Sequence, residues 1–265
     1  SVFSSDAMFF ALLLLASPAA RSLHALTMTT TMSPTEYVKF NGRSLQFTDD
    51  SLKRDRDVVL AAVAQAGVAL EFADDALKRD PDVVLTAIAQ NARAHSFADE
   101  TLRNDRDFVL AAVSRNAGVL EFADALRRDR AFVLEAVARD GWALRFADES
   151  LRRDRDFVLR VVARDGWTLQ FVDEDLARDR EVVLAAVSQN GYAFRYADVS
   201  LRRDRDVVLR ALDRNGLALQ FVDASLKRDR DVALAAVGNN GFALEFVDES
   251  LQSDRDVALA AVAER

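Results

Sequence analysis

The chain repeats itself every 25 residues, and that period constrains its fold more than any other feature. SLKRDRDVVLAAVAQAGVALEFADD at 51–75 returns as ALKRDPDVVLTAIAQNARAHSFADE at 76–100. The pattern restarts at 101, 125, 150, 175, 200 and 225, and a truncated copy begins at 250. The copy at 101 is one residue short, and a partial copy, NGRSLQFTDD, occupies 41–50. A unit this small cannot shelter a core of its own, so copies must stack and bury their apolar faces on their neighbours. The expected fold is all-α, an α-solenoid of about nine stacked 25-residue two-helix repeats.

Numbered from the residue before its first leucine, the unit keeps Leu at positions 2 and 10 and Asp at position 5 in all nine copies, as in Leu52, Leu60 and Asp55. Position 22 is Phe except for Tyr196, and position 24 is Asp in every copy that reaches it. The position 5 Asp reads as an N-cap, because its carboxylate can accept the free N–H groups of a first turn. The residue after it is Arg except at Pro81, and proline suits the first helical position. Acids at position 7, such as Asp57, Asp156 and Glu181, complement the helix dipole. Positions 8, 9, 12 and 13 then form one apolar face. This first helix is expected to end at pairs such as Asp165-Gly166 and Asn190-Gly191, with glycine in a left-handed cap.

The second helix is expected from about position 18 into the next copy, burying positions 19, 20 and 23. Asp148 precedes Arg152 by four residues and Glu149 precedes Arg153 likewise, a spacing that supports a helix. The alternative is a break at the position 24 Asp into two short turns, one of them 3₁₀, since Asp is a poor residue inside a helix. At the front of the array, Ser33-Pro34-Thr35-Glu36 reads as a capping box.

Half of the residues are apolar and 29% are charged, the profile of a folded chain. The net charge of −8 disfavours wrapping a nucleic acid backbone, so no nucleic acid partner is expected. With no cysteine there is no disulfide, thiolate site or cysteine nucleophile. Met8 to Ala16 reads MFFALLLLA and is followed by Ser17-Pro18-Ala19-Ala20, which resembles a secretory signal and its cleavage site. It is too short to span a bilayer, which takes roughly 20 apolar residues. The preceding stretch lacks positive charge and contains Asp6, and Met28 is an alternative start. The expected organisation is a leader at 1–27, a Thr-rich linker at 28–32 and the helical array at 33–265. The secretory pathway is expected if residues 1–20 act as a signal, and the cytoplasm otherwise.

Four sets of residues could carry chemistry. Asp-Arg-Asp recurs at 55–57, 105–107 and 154–156; paired carboxylates can bind metal, but at a repeated helix start capping explains them better. His95 stands in a leucine column with no second His or Cys nearby, which favours a structural residue; His24 lies in the leader. Arg152, Arg153 and Arg155 could meet phosphates, but their Asp neighbours favour a solvated ion-paired face. Position 18 reads Trp142, Trp167, Tyr192, Leu217 and Phe242 in consecutive copies. Such a row is either a partner-binding stripe or a set of side chains packed back on the preceding helix.

LRRDRDFVLRVVARDGWTLQFVDE at 151–174 resembles the tandem repeats of the domain of unknown function 4116 family. The shared signature is Leu-x-x-Asp-x-x-(Val/Phe)-Val-Leu-x-x-Val-x-x-(Asn/Asp)-Gly-x-x-Leu-x-(Phe/Tyr)-Ala, and it covers about 37–265. The chain departs from it at Ala92, His95 and Ala117-Gly118. The resemblance implies helical repeats and no established activity, so no catalytic residue is carried over. Beside it, the residues show no phosphate loop and no Gly-x-Ser-x-Gly. The expected function is a non-catalytic protein–protein interaction scaffold, monomeric, with a protein or peptide partner, no cofactor, no metal and no transmembrane span. The alternatives are a regulatory or substrate-binding arm of a larger enzyme and an RNA-binding repeat protein.

Overall fold

The computed structural model describes residues 36, 38 and 41–263. The expected leader and linker, His24 and Ser33–Thr35 lie outside them. Every regular element among the described residues is helical. A copy typically contributes a short helical turn, a long α-helix and a 3₁₀ segment, as in Glu174–Ala177, Arg180–Gln189 and Gly191–Tyr196; in the copy at 125 the last piece is instead the α-helical turn Ala143–Phe146.

The long helix begins where its cap requires. Asp179 accepts from the N–H groups of Glu181 and Val182, and Asp80 does the same ahead of Pro81, which occupies the first turn of Pro81–Gln90. Val182, Val183, Ala186 and Val187 are buried, which is the predicted face at positions 8, 9, 12 and 13. Ala193, Phe194 and Ala197, at positions 19, 20 and 23, meet them from the other segment. The position 10 leucine is only half-buried in most copies, as at Leu159 and Leu184. It lies at the margin of the core, although it never varies along the chain.

The expected second helix is three pieces of geometry rather than one. The 3₁₀ segment Gly191–Tyr196 stops at Ala197, whose φ of −65° and ψ of 144° are extended. The position 24 residue, Asp198, then caps a fresh turn by accepting from Ser200 N at 2.9 Å. Its own N–H donates to Ala177 O at 3.1 Å, tying the chain back to the start of the same copy. The carboxylate is worth more as a cap than as a mid-helix side chain, so the helix breaks. Of the two expected intrahelical pairs, Glu149–Arg153 forms at 2.7 Å. Asp148 instead accepts from Ser150 and from Arg128 at the start of the same copy.

Glycine at position 17 is not a left-handed cap, because no described glycine has a positive φ. The chain leaves the long helix extended at Asn190, with φ −143° and ψ 107°, and the Asn190 side chain caps the 3₁₀ segment that follows. The glycine is needed for close approach. A Cβ on Gly191 would lie 2.3 Å from Ala211 O, in the long helix of the next copy, well inside contact distance. In the copy that carries Ala117-Gly118 the long helix, Arg106–Val113, has 8 residues rather than the 10 of Pro81–Gln90 and ends at Ser114. The cap of the 3₁₀ segment that follows is kept, Asn116 accepting from Gly118 N at 3.0 Å.

The chain divides into two compact units at Asp124 and Ala125, where the short copy lacks its residue. In the first, the long helices Arg56–Gln65, Pro81–Gln90 and Arg106–Val113 stack in order, and so do the 3₁₀ segments from Gly42–Phe47 to Ala117–Phe122. In the second, the long helices from Arg130–Arg139 to Arg255–Val262 do the same. Within each unit this is the stacking pattern of an α-solenoid.

Candidate functional site

Position 18 is the second residue of the 3₁₀ segment at Trp167, Tyr192, Leu217 and Phe242 and immediately precedes the α-helical turn Ala143–Phe146 at Trp142, and in all five a side chain two residues earlier fixes it. The N–H of Trp142 donates to Asp140, Trp167 to Asp165, Tyr192 to Asn190, Leu217 to Asn215 and Phe242 to Asn240, each at 2.9–3.0 Å. The repeated cap presents the five side chains in the same way, one per copy. Trp142 is 52% exposed, Trp167 39% and Phe242 78%. Tyr192 and Leu217 are half-buried.

The ring contacts run forward to the next copy. Trp142 lies 5.0 Å from Phe171, and Tyr192 lies 5.3 Å from Phe221, between ring centroids. Trp167 meets both Tyr192 at 5.5 Å and Tyr196 at 6.0 Å. Phe171, Tyr196 and Phe221 occupy position 22, which the sequence reading did not single out. Its constancy looks like that of a core column, yet it falls outside the buried 19, 20 and 23 set, and that offset is the signal for a surface aromatic. Trp142, Trp167, Phe171 and Tyr196, with Asp140 and Asp165, wall a cavity of about 380 Å³.

The other candidates are occupied structurally. In the Asp-Arg-Asp triplets the first Asp caps the long helix and the Arg crosses to the next copy. Arg180 reaches Asp204 and Asp206, each at 2.7 Å. These bonds hold the Asp80, Asp179 and Asp204 carboxyls below the usual carboxylate range, the arginine of the preceding copy being the main cause in each. The position 4 arginines are also engaged, as Arg178 is with Asp198 at 3.3 Å. At position 3, Arg202 donates to the carbonyls of Arg195 and Ala197 at the end of a 3₁₀ segment.

His95 is 1% exposed, and its ring nitrogens approach backbone groups of Arg103 and Phe122 without completing a well-formed hydrogen bond. Burial first, and the charge of Arg103 second, push its pKa down. Among the described residues no group of three or more His, Cys, Asp or Glu is placed to hold a metal ion. No described helix is long and apolar enough to cross a membrane.

The pattern of the family described as Domain of unknown function (DUF4116) matches at 35–78, 80–127, 129–177, 154–202, 179–228, 204–252 and 229–264. The chain belongs to this family. Matches from 129 onward begin 25 residues apart and overlap, so each takes in a pair of neighbouring copies. No curated protein and no solved structure matches the chain. What membership adds is the repeat itself: the chain is an all-helical tandem-repeat protein.

Proposed function

We propose that the protein is a non-catalytic interaction scaffold, a solenoid of about nine 25-residue units that binds a protein or peptide along Trp142, Trp167, Tyr192, Leu217 and Phe242. The observation that carries this reading is the exposure of Trp142, Trp167 and Phe242 on one repeated structural position. Large exposed aromatics are costly to leave in water and are enriched at the centres of interfaces. The row is pre-organised by backbone caps, which lowers the entropy lost on binding. The scaffold acts as a monomer without a cofactor; its compartment follows from whether residues 1–20 act as a secretory signal.

RNA binding is the weaker reading. The Arg columns at positions 4 and 6 are taken up by carboxylates of the same and of the following copy, as Arg178 and Arg180 are, and the net charge is negative. Panning a displayed peptide library against the whole chain tests the proposal. Peptides that bind the chain but not Trp167→Ala or Phe242→Ala are expected. Their absence, together with salt-sensitive retention of RNA, would replace the proposal with the RNA reading.

A further inference from the structure

We infer that the cavity between Trp142 and Trp167 receives a cationic side chain, the guanidinium or ammonium group of a partner peptide. The inference rests on the row being a partner-binding surface and assigns the chemistry of one site on it.

The chain contains its own example of the arrangement, one copy further along. The guanidinium carbon of Arg195 lies 5.5 Å from the ring centre of Tyr192, 5.1 Å from that of Tyr196 and 5.9 Å from that of Phe221. Arg195 is at position 21, Tyr192 at 18, Tyr196 at 22, and Phe221 at 22 of the next copy. The corresponding rings one copy earlier are Trp167, Phe171 and Tyr196, but position 21 there is Gln170. A cation over aromatic faces is attracted by the ring quadrupoles. The later box is filled by such a cation. The earlier one has an uncharged amide, whose nitrogen is turned to Trp167 O at 3.1 Å, and the cavity of about 380 Å³ opens among its rings and Trp142.

The carboxylates point the same way. Position 16 is Asp in only two copies, at Asp140 and Asp165, and both line this cavity. Each caps the tryptophan two residues on, a task that Asn190 and Asn215 perform equally well elsewhere. The cap therefore does not require the charge. Neither Asp140 nor Asp165 forms an ion pair among the described residues. Two carboxylates beside an aromatic box attract a cation and repel an acid. Arg145 and Arg152 border a neighbouring depression that shares Gln170 and Phe171. They oppose a cation at that end and leave the favourable seat between the tryptophans, next to Asp140 and Asp165.

The chain has two tryptophans, so its two indole N–H signals both report on this site. The whole chain, labelled with nitrogen-15, is titrated with acetyl-Gly-Arg-Gly-amide and with the same peptide carrying norleucine or glutamate instead of arginine. The arginine peptide is expected to shift both indole signals saturably, and the other two to bind at least about tenfold more weakly. Gln170→Arg supplies an internal cation, as Arg195 does, and is expected to abolish the response. Asp140→Asn with Asp165→Asn keeps the caps and is expected to weaken binding about tenfold. Unchanged amide signals elsewhere verify the fold of each variant. Equal binding of the norleucine peptide, preference for the glutamate peptide, no saturable shift, or undiminished binding to Gln170→Arg would each overturn the inference. Library peptides that depend on the row but contain no basic residue would remove this site and leave the scaffold reading intact; a library without row-dependent peptides would remove the scaffold reading itself.

Discussion

Arg180 Nε donates to Asp204 Oδ2 across 2.7 Å, so the first turn of one long helix grips the N-cap of the next. The contact recurs as Arg56–Asp80, Arg155–Asp179 and Arg230–Asp254. The arginines are nearly half exposed, and solvent screens such pairs. Arg180→Ala is expected to lower the urea midpoint slightly, and by less in high salt. Urea melts at two salt concentrations check this; a large loss that does not depend on salt would mean that the pair is not a rim contact.

The same carboxylates set the response to acid. Asp80, Asp179 and Asp204 are held low chiefly by arginine. Asp223 is brought to about 2 by the hydroxyl and N–H of Ser225 and by Arg203. A folded pKa below the unfolded value, about 3.9 for Asp, means that the stabilisation is complete above it and is lost as pH falls through the folded pKa. Thermal stability is expected to fall steadily from pH 4 towards pH 2. Asp204→Asn keeps a capping oxygen without the charge, and its stability should depend less on pH over that range. A parallel decline in the two proteins would contradict the assignment.

Two glycine-to-alanine changes should have opposite signs. The new methyl at Gly191 would collide with Ala211 O, so Gly191→Ala is expected to cost about 1–3 kcal/mol through overpacking. Gly238 lies inside the helix Arg230–Asn239 with nothing within 4 Å of an added Cβ. Gly238→Ala should add about 0.5–1 kcal/mol from helix propensity. Chemical denaturation of both variants decides the point, and a stabilised Gly191→Ala would refute the close-approach account of the column.

His95 stands where most copies have leucine, buried and without a well-formed hydrogen bond. His95→Leu is expected to stabilise the chain by about 1–3 kcal/mol at pH 7.5, the cost of an unpaired buried polar group. The folded pKa of His95 is lowered, so the unfolded chain takes up the proton first, at about pH 6.5. The native chain should therefore lose stability as pH falls below about 6.5, by up to about 1.4 kcal/mol per unit, and the variant should lose less. Unfolding free energies between pH 7.5 and 5 measure the gap, which must widen towards pH 5.

Phe157 is fully buried, whereas Leu159 is half-buried. Phe157→Ala is expected to cost about 3–5 kcal/mol and Leu159→Ala about 1–2, although Leu159 belongs to the invariant column. In a stack coupled only to its neighbours, hydrogen exchange in Phe157→Ala should rise first in the adjoining copies. Equal loss of protection throughout the second compact unit would show all-or-none coupling instead.

Local chemistry was readable from residue order. Asp179 as a cap, Pro81 at a first turn and the burial of Val182, Val183, Ala186 and Val187 follow from interactions within one turn of chain or one face of a helix. The all-helical class follows too, from apolar positions 8, 9, 12 and 13 at helical spacing in each copy, and stacking follows from a unit too short to bury that face alone. The row at Trp142, Trp167, Tyr192, Leu217 and Phe242 was visible as a column, but not whether its rings packed back or lay open.

What tertiary structure decided is whatever depends on a partner some 20–26 residues away. Asp148 and Asp198 break the expected helix because each has a cap to make and a carbonyl of its own copy to meet. Gly191 is there for Ala211 O in the next copy, not for a left-handed turn. Arg180 ignores its own helix and crosses to Asp204. Sequence periodicity reports which residues are equivalent, but the distance between copies is set by how closely backbones and side chains pack. That spacing alone brought Phe171 and Tyr196 beside the two tryptophans.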